Sequence, residues 1–271
     1  MSVNSKRNNT CMNNPDLVIS GAVAELVLNN PDRKNALPLE AWSRIPDVLG
    51  TLNNNTGIRV CVVRGAGGAA FCAGADISEF KEVRATPDSA ALYDQINVEA
   101  FEAMKGLQIP VIAAIEGPCL GGGLGIALAC DIRISSSNAF FGIPAAKLGL
   151  AYPPDALKDL LAAVSPSNAK RLLFSAERFS AEEALQMGLI DEIHEPGKFT
   201  ERLNDLCQTL SENAPLSLHA AKQAVNQIAQ STLDKDMTDA RTWARTCVDS
   251  QDYAEGCSAF LEKRKPVFKG T

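Results

Sequence analysis

Two compact apolar runs, Val60–Arg64 and Val111–Ile115, each lead directly into a glycine-rich turn. Runs this short, bounded by turn residues, read as buried strands, and glycine after a strand lets the backbone approach another chain or a ligand closely. The first turn runs Gly65-Ala66-Gly67-Gly68 to Gly74-Ala75-Asp76-Ile77, and the second runs Glu116-Gly117 to Gly121-Gly122-Gly123-Leu124-Gly125. Around them the pattern alternates. Leu17–Ser20 and Val23–Asn29 form a hairpin across Gly21-Ala22, and Pro31–Asn35 is a polar loop. Pro38 opens a helix to about Leu52 that Pro46 should bend or shorten. Ala90–Lys105 is a helix with Leu92, Ile96, Phe101 and Met104 inward, while Cys130–Ser135 and Gly188–His194 are further strands. From Ser165 onward the chain is mostly helical: Ser167–Phe174, Ala181–Met187 behind a Ser180/Glu183 capping box, Thr200–Glu212, Ser217–Ala229 and Thr238–Lys263. Strands alternating with helices define an α/β architecture.

With 271 residues, of which 46% are apolar, the chain can bury a large single core. A net charge of −6 argues against nucleic acid or an anionic membrane as partner. Glu116 interrupts the one long Gly-rich apolar stretch, which makes it a poor membrane span. Residues 1–16 are rich in Asn, lack the apolar core of a secretory signal, and read as a disordered lead-in. The 8 cysteines show no CxxC spacing, so reduced thiols and a cytoplasmic location are expected, with no metal site. The isolated histidines, His194 and His219, stand near no nucleophile motif, which argues against Ser-His or Cys-His chemistry.

Gly65, Gly67 and Ala70 formally satisfy a dinucleotide fingerprint, but that motif opens a helix at once, whereas here Phe71–Ile77 brings another turn. The second turn lacks the Lys-Ser/Thr of a Walker A loop. Two readings of the triple glycine stay open. One is tight helix-on-sheet packing. The other is that the two turns aim backbone N–H groups at one developing oxyanion.

At this point the sequence resembles the enoyl-CoA hydratase/isomerase (crotonase) superfamily. Phe71-Cys72-Ala73-Gly74-Ala75-Asp76-Ile77, Pro110–Gly117 with Gly121-Gly122-Gly123, and Ala129-Cys130-Asp131-Ile132-Arg133 carry the likeness. Pro31–Leu37, Ala181–Ile190 and Phe260–Lys265 support it, and the likeness spans about Leu17 to Gly270. It implies a spiral of ββα turns over residues 17–200 and a helical assembly region over 201–271, forming a homotrimer or a dimer of trimers. It also implies an acyl-CoA substrate and no separate cofactor. The family's oxyanion N–H groups fall on Ala75 and Gly122. The CoA groove falls on Ala73 and the Ala36-Leu37 turn, with Asp76 and Ile77 beside it. Arg33, Lys34 and Lys263 are then candidates for the CoA phosphates, or plain surface charge. Gly121, Gly125, Pro144 and Ala145 would line the acyl pocket.

The two glutamates of the family's hydratases correspond to Gly125 and to Ala145 in Phe141-Gly142-Ile143-Pro144-Ala145. A positioned acid–base group contributes about 10²–10⁴-fold, so the loss of both argues against hydration by that mechanism. Tyr152 and Asp155, in Tyr152-Pro153-Pro154-Asp155, are the replacement candidates, although Asp155 also suits a helix cap. The alternatives are therefore an enolate-stabilising enzyme, a lyase or isomerase first, with isomerisation, decarboxylation, thioester hydrolysis and hydration of a particular substrate all open, a non-catalytic acyl-CoA binder, and a dinucleotide oxidoreductase.

Overall fold

The computed structural model describes residues 15–53, 55–233, 245 and 248–267. Most of the expected lead-in, residues 1–14, lies outside them, and so do Cys11 and Cys247. A six-stranded sheet has the order β1-β2-β3-β4-β6-β9, built from β1 (Asp16–Ser20), β2 (Val23–Leu28), β3 (Val60–Gly65), β4 (Val111–Ile115), β6 (Ile132–Ser136) and β9 (Glu192–His194). The β1–β2 hairpin is antiparallel and every later pairing in this sheet is parallel. β4 is buried along its whole length, as a parallel strand covered on both faces must be. Val60, Val62, Ile112, Ala114 and Ile134 point to one face, where Phe199, Leu203 and Cys207 of a helix at Pro196–Glu212 cover them. The alternate residues enter the main core.

A second sheet holds three short strands absent from the sequence reading, β5 (Pro118–Leu120), β7 (Phe140–Gly142) and β8 (Phe179–Ser180). Two or three residues carry too little periodicity to be read as strands. They matter because β5 follows β4 and β7 follows β6 along the chain, each pair leading on to a helix, which gives the strand–strand–helix turns of a spiral.

The helices, in chain order, are α1 (Leu39–Gly50), α2 (Phe80–Val83), α3 (Pro87–Lys105), α4 (Gly122–Leu128), α5 (Pro154–Ala163), α6 (Pro166–Ser175), α7 (Ala181–Met187), α8 (Pro196–Glu212), α9 (Pro215–Leu233) and α10 (Gln251–Leu261). α1 runs on through Pro46 instead of stopping there, because the buried stripe of Trp42, Ile45 and Leu49 outweighs one missing backbone bond. α3 starts at Pro87, earlier than the apolar pattern suggests, on a Thr86/Ser89 capping box. The Ser180/Glu183 box opens α7 as expected. Gly188 caps α7 in the left-handed region, so the strand expected from Gly188 shrinks to β9. The helix expected over Thr238–Lys263 lies partly outside the described residues; its described part breaks at Asp249 and restarts as α10, with Ser250 accepting the Tyr253 N–H at 3.1 Å. α9 is tied to the sheet by Lys222, 2.9 Å from Asp131. α10 packs on the Pro144–Leu148 turn so closely that a Cβ on Gly256 would lie 2.4 Å from the Leu148 carbonyl carbon.

Candidate active site

The two glycine-rich turns meet. Cys72 N–H donates to the Pro118 carbonyl at 3.0 Å and Leu120 N–H returns a bond to the Cys72 carbonyl at 2.9 Å. On the other side of the first turn, Leu37 N–H donates to Gly74 O at 2.8 Å and Asp76 N–H to Leu37 O at 2.9 Å. This parallel bridge leaves the Ala75 N–H on the side away from Leu37. Gly122 is the first residue of α4, where a helix has no internal acceptor for its N–H. Among the described hydrogen bonds neither N–H donates to a carbonyl of the chain. The approach is set by Gly74, whose φ of +96° suits glycine alone; a Cβ there would lie 2.8 Å from Leu120 O and 3.1 Å from Gly122 N. A Cβ on Gly122 would in turn lie 3.9 Å from Ala75 N. Two adjacent, unengaged donors of this kind are able to serve one oxygen.

Ala75 and Gly122 both line a cavity of about 100 Å³. Ala73, Ile77, Gly121, Pro144, Ala145 and Tyr152 line it too. The Tyr152 hydroxyl is 3.4 Å from Gly121 O, and burial pushes its phenol above the ordinary value. It is therefore a neutral donor at any ordinary pH. Trp42 lies behind the turn and donates through its indole N–H to Leu37 O at 3.1 Å.

Other expected site residues are not brought to the cavity. Asp155 sits in the first turn of α5, 3.8 Å from Lys158, and does not line the cavity. Gly125 is inside α4, facing the ring of Phe101: a Cβ there would meet Cζ at 2.6 Å. Ala36 and Leu37 are buried beside the first turn and do not line this cavity. Arg33 clamps Asp76 at 2.8 Å and Ser78 Oγ at 2.7 Å, so Asp76 shapes the turn, and Lys34 is exposed beside it. Lys263 is exposed just after α10. His194 binds Glu192 at 2.8 Å, and His219 approaches Gln108 O at 3.2 Å. The Gly65–Ala70 segment forms a short 3-10 turn, not the start of an α-helix, which removes the context a dinucleotide fingerprint needs.

The sequence reading missed four polar residues on the cavity wall: Arg84, Tyr93, Asp94 and Asn97. α3 buries Tyr93, Asn97, Phe101 and Met104, whereas Leu92, expected inward, is 56% exposed. An apolar-only search puts this helix face out of phase, because the cavity side of α3 is partly polar. The i, i+4, i+8 spacing of Tyr93, Asn97 and Phe101 was the available signal. Arg84, in the polar Lys81–Pro87 stretch, gave none.

The six described cysteines are buried and form no disulfide. Cys72 Sγ lies 3.0 Å from Asn35 O beneath the first turn, and burial raises its thiol to about 12, an inert packing group. Among the described residues no helix is long and apolar enough to cross a membrane.

The adjoining turns, the spiral and the small cavity define a crotonase-type fold, and comparison with known proteins agrees. The family model for enoyl-CoA hydratase/isomerase matches residues 18–271, and the chain belongs to that family. A short-chain-enoyl-CoA hydratase of Clostridium acetobutylicum is 34% identical, over 94% of this chain and 97% of its own length. A crystal structure of an enoyl-CoA hydratase/carnithine racemase from Magnetospirillum magneticum superposes with a TM-score of 0.79 at 34% identity, covering 96% and 97% of the two chains. A methylmalonyl-CoA decarboxylase in complex with 2-nitronate-propionyl-CoA superposes with a TM-score of 0.86 at 26% identity, covering 96% and 100%.

Proposed function

We propose that this protein is an acyl-CoA enzyme that stabilises a thioester enolate, with the Ala75 and Gly122 N–H groups donating to the thioester oxygen. One observation carries the reading: two neighbouring N–H groups without a carbonyl partner in the chain belong to residues lining the same small cavity. As the carbonyl carbon's neighbour gains an electron pair, charge moves onto that oxygen. A single donor of this type is worth about 2.7–4 kcal/mol in other enzymes.

The walls narrow the reaction. Hydration by a glutamate pair has no carboxylate at Gly125 or Ala145, and Phe101 fills the first of those places. Loss of CO2 from a 2-carboxyacyl thioester needs no base. The bond from C2 to the carboxyl carbon breaks, its electron pair becomes the enolate, and a proton then reaches C2. Tyr152, a half-buried neutral phenol on the cavity wall, is the acid available for that proton. Decarboxylation is therefore the reaction this wall suits best. A methylmalonyl-CoA decarboxylase is among the structures this chain resembles, at 26% identity, whereas the Clostridium relative at 34% is named a hydratase, so the reading rests on the cavity wall. The reading extends to self-assembly as trimers, alone or paired, for which apolar side chains such as Leu216, 81% exposed on α9, supply surface.

The test pairs CO2 release from malonyl-CoA and methylmalonyl-CoA with crotonyl-CoA hydration, followed by loss of enoyl-thioester absorbance. Release of CO2 with deuterium from solvent at C2, and no hydration, is expected. Rapid hydration of crotonyl-CoA would overturn the decarboxylase assignment. Absence of both reactions, and of any deuterium at C2, would leave a protein that binds acyl-CoA without acting on it.

A further inference from the structure

The polar part of the cavity wall has no role in the chemistry above. Arg84 caps α2 and is only 5% exposed, an uncommon place for a guanidinium. Its Nη1 meets Asp94 Oδ1 at 2.5 Å, and its plane lies over Tyr93 and Phe80, 5.1 and 5.4 Å from the ring centroids. Burial alone would lower its pKa, but Asp94 outweighs burial and holds the guanidinium above its ordinary range. Asp94 is the outer member of the pair, with 27% of its side chain exposed against 4% for Arg84. Asp94 lines the cavity as well and takes up both Nη atoms, which leaves Nε–H as the guanidinium donor without a partner.

Three polar atoms of this wall have no hydrogen-bond partner, Arg84 Nε, Tyr93 Oη and Asn97 Nδ2, and the Tyr253 hydroxyl on α10, off the wall but next to Arg84, has none either. Tyr93 is 2% exposed and Asn97 8%, and all three residues line the same cavity as Ala75 and Gly122. A buried donor left unpaired costs about 1–3 kcal/mol, so three in one small space point to a ligand that completes them. Arg84 Nε–H and Asn97 Nδ2 only donate, and Tyr93 Oη is able to donate. What satisfies such a set is a compact group rich in acceptors, and a carboxylate supplies several acceptors in a few heavy atoms. The size is set as well. A cavity of about 100 Å³ holds a group of only a few heavy atoms.

We infer that Arg84, Tyr93 and Asn97 form a carboxylate-recognising subsite, and that the substrates are short acyl-CoA thioesters whose acyl group carries a free carboxylate. The inference rests on the thioester reading above and deepens it. Two members of the class differ in consequence: in a malonyl-type group the carboxylate is the one that leaves, and in a succinyl-type group it is retained.

The experiment measures Kd on the full chain for two size-matched pairs, by titration calorimetry, and by rapid-mixing fluorescence within the first turnover for malonyl-CoA, which the proposed reaction consumes. Malonyl-CoA is set against 3-methylbutanoyl-CoA, and succinyl-CoA against 4-methylpentanoyl-CoA; within each pair two methyl groups replace the two carboxylate oxygens. At least one carboxylate-bearing thioester is expected to bind about tenfold or more tightly than its match. Which pair shows the preference tells where along the acyl chain the carboxylate sits. That ratio is expected to collapse towards one in the Tyr93→Phe, Asn97→Leu double variant. Arg84 is left in place, since its removal would bury Asp94 without its partner. Tyr93→Phe alone, which keeps the ring against Arg84, is expected to lower the ratio in part and serves if the double variant does not fold. Equal or weaker binding of both carboxylate-bearing thioesters would overturn the carboxylate subsite while leaving the thioester reading intact. A preference that survives both variants would overturn its assignment to these residues. If none of the four thioesters binds, the thioester reading fails and the subsite with it.

Discussion

The ring of Phe101 occupies the space that any side chain at Gly125 would need. A Cβ at Gly125 would lie 2.6 Å from Phe101 Cζ and 3.2 Å from Cε1 and Cε2. Phe101 is itself held, edge to face with Trp42 at a centroid distance of 5.9 Å. The position without a carboxylate is therefore filled by a core aromatic ring, and placing one there has a structural cost.

Gly125→Ala is expected to destabilise the protein by about 1–3 kcal/mol, the usual cost of overpacking, because Phe101 has little room to move. A Gly125→Glu, Ala145→Glu variant should fold poorly and gain no hydration activity. Adding Phe101→Ala should recover part of the stability, measured by urea denaturation, and is the background in which any hydratase gain is to be sought. Wild-type stability in Gly125→Ala would show that Phe101 yields freely.

Much of the site was legible before the structure because it is built from backbone. Gly74 and Gly122 stand at close approaches and Gly121 at a positive φ, and Ala75 and Gly122 would contribute through N–H groups, so their positions follow from the turns that the glycines mark. Side-chain neighbours across the cavity were not legible in that way. Arg84 and Asp94 are ten residues apart and meet only because α2 turns back on α3. Asp155, two residues beyond Pro153, seemed near the pocket along the chain, but α5 starts at Pro154 and carries it to the Lys158 side. The short strands β5, β7 and β8 escaped for a related reason. They are specified by partners distant in sequence rather than by their own two or three residues.

Gly74→Ala tests the junction of the turns. Its φ of +96° strains any other residue, and the added methyl would press Leu120 O at 2.8 Å and Gly122 N at 3.1 Å. One donor of the pair would be displaced. Turnover is expected to fall about 10²–10³-fold, the loss typical of one oxyanion donor. Acyl-CoA binding should weaken far less, since the developing charge exists only in the transition state. Comparable losses in kcat and in affinity would argue that the turn shapes the groove rather than holding the enolate.

Stability should be sensitive to alkali. Burial raises the Cys61 and Cys72 thiols from 9.0 to about 12, Cys207 to about 11 and the Tyr253 phenol to about 12. Each folded value lies above the unfolded one, so the unfolded chain loses these protons first. Their contribution is complete below about pH 9 and is lost as pH rises from there through about 12. Glu192 works on the acid side: Arg202 holds its carboxyl down at about 2, so its contribution is present above 4.5 and lost as pH falls towards 2. The urea midpoint, followed by tryptophan fluorescence, should be level from pH 7 to 8.5 and fall above pH 9. A level midpoint to pH 11 would mean that these groups ionise in the fold.

Tyr152→Phe separates a proton donor from a packing group. The ring lies against the core and its hydroxyl makes one long contact, 3.4 Å to Gly121 O, so removing the oxygen should change stability by less than about 1 kcal/mol. If the phenol delivers the proton to C2, turnover should fall about 10²–10⁴-fold. CO2 release and proton delivery need not suffer equally. The bond to the carboxyl carbon breaks first and leans on the Ala75 and Gly122 donors, whereas capture of the proton follows. The variant's first CO2 release should change little while steady-state release slows, because the enolate must be protonated before the site turns over, and its product should carry solvent deuterium at C2 with weaker stereochemical preference, because water replaces a fixed donor. Burial keeps Tyr152 protonated well above its ordinary range, so the wild-type rate should show no inflection from this group between pH 6 and about 10. Unchanged turnover and unchanged stereochemistry in Tyr152→Phe would remove Tyr152 from the mechanism and turn the search to the Asp94 side of the cavity.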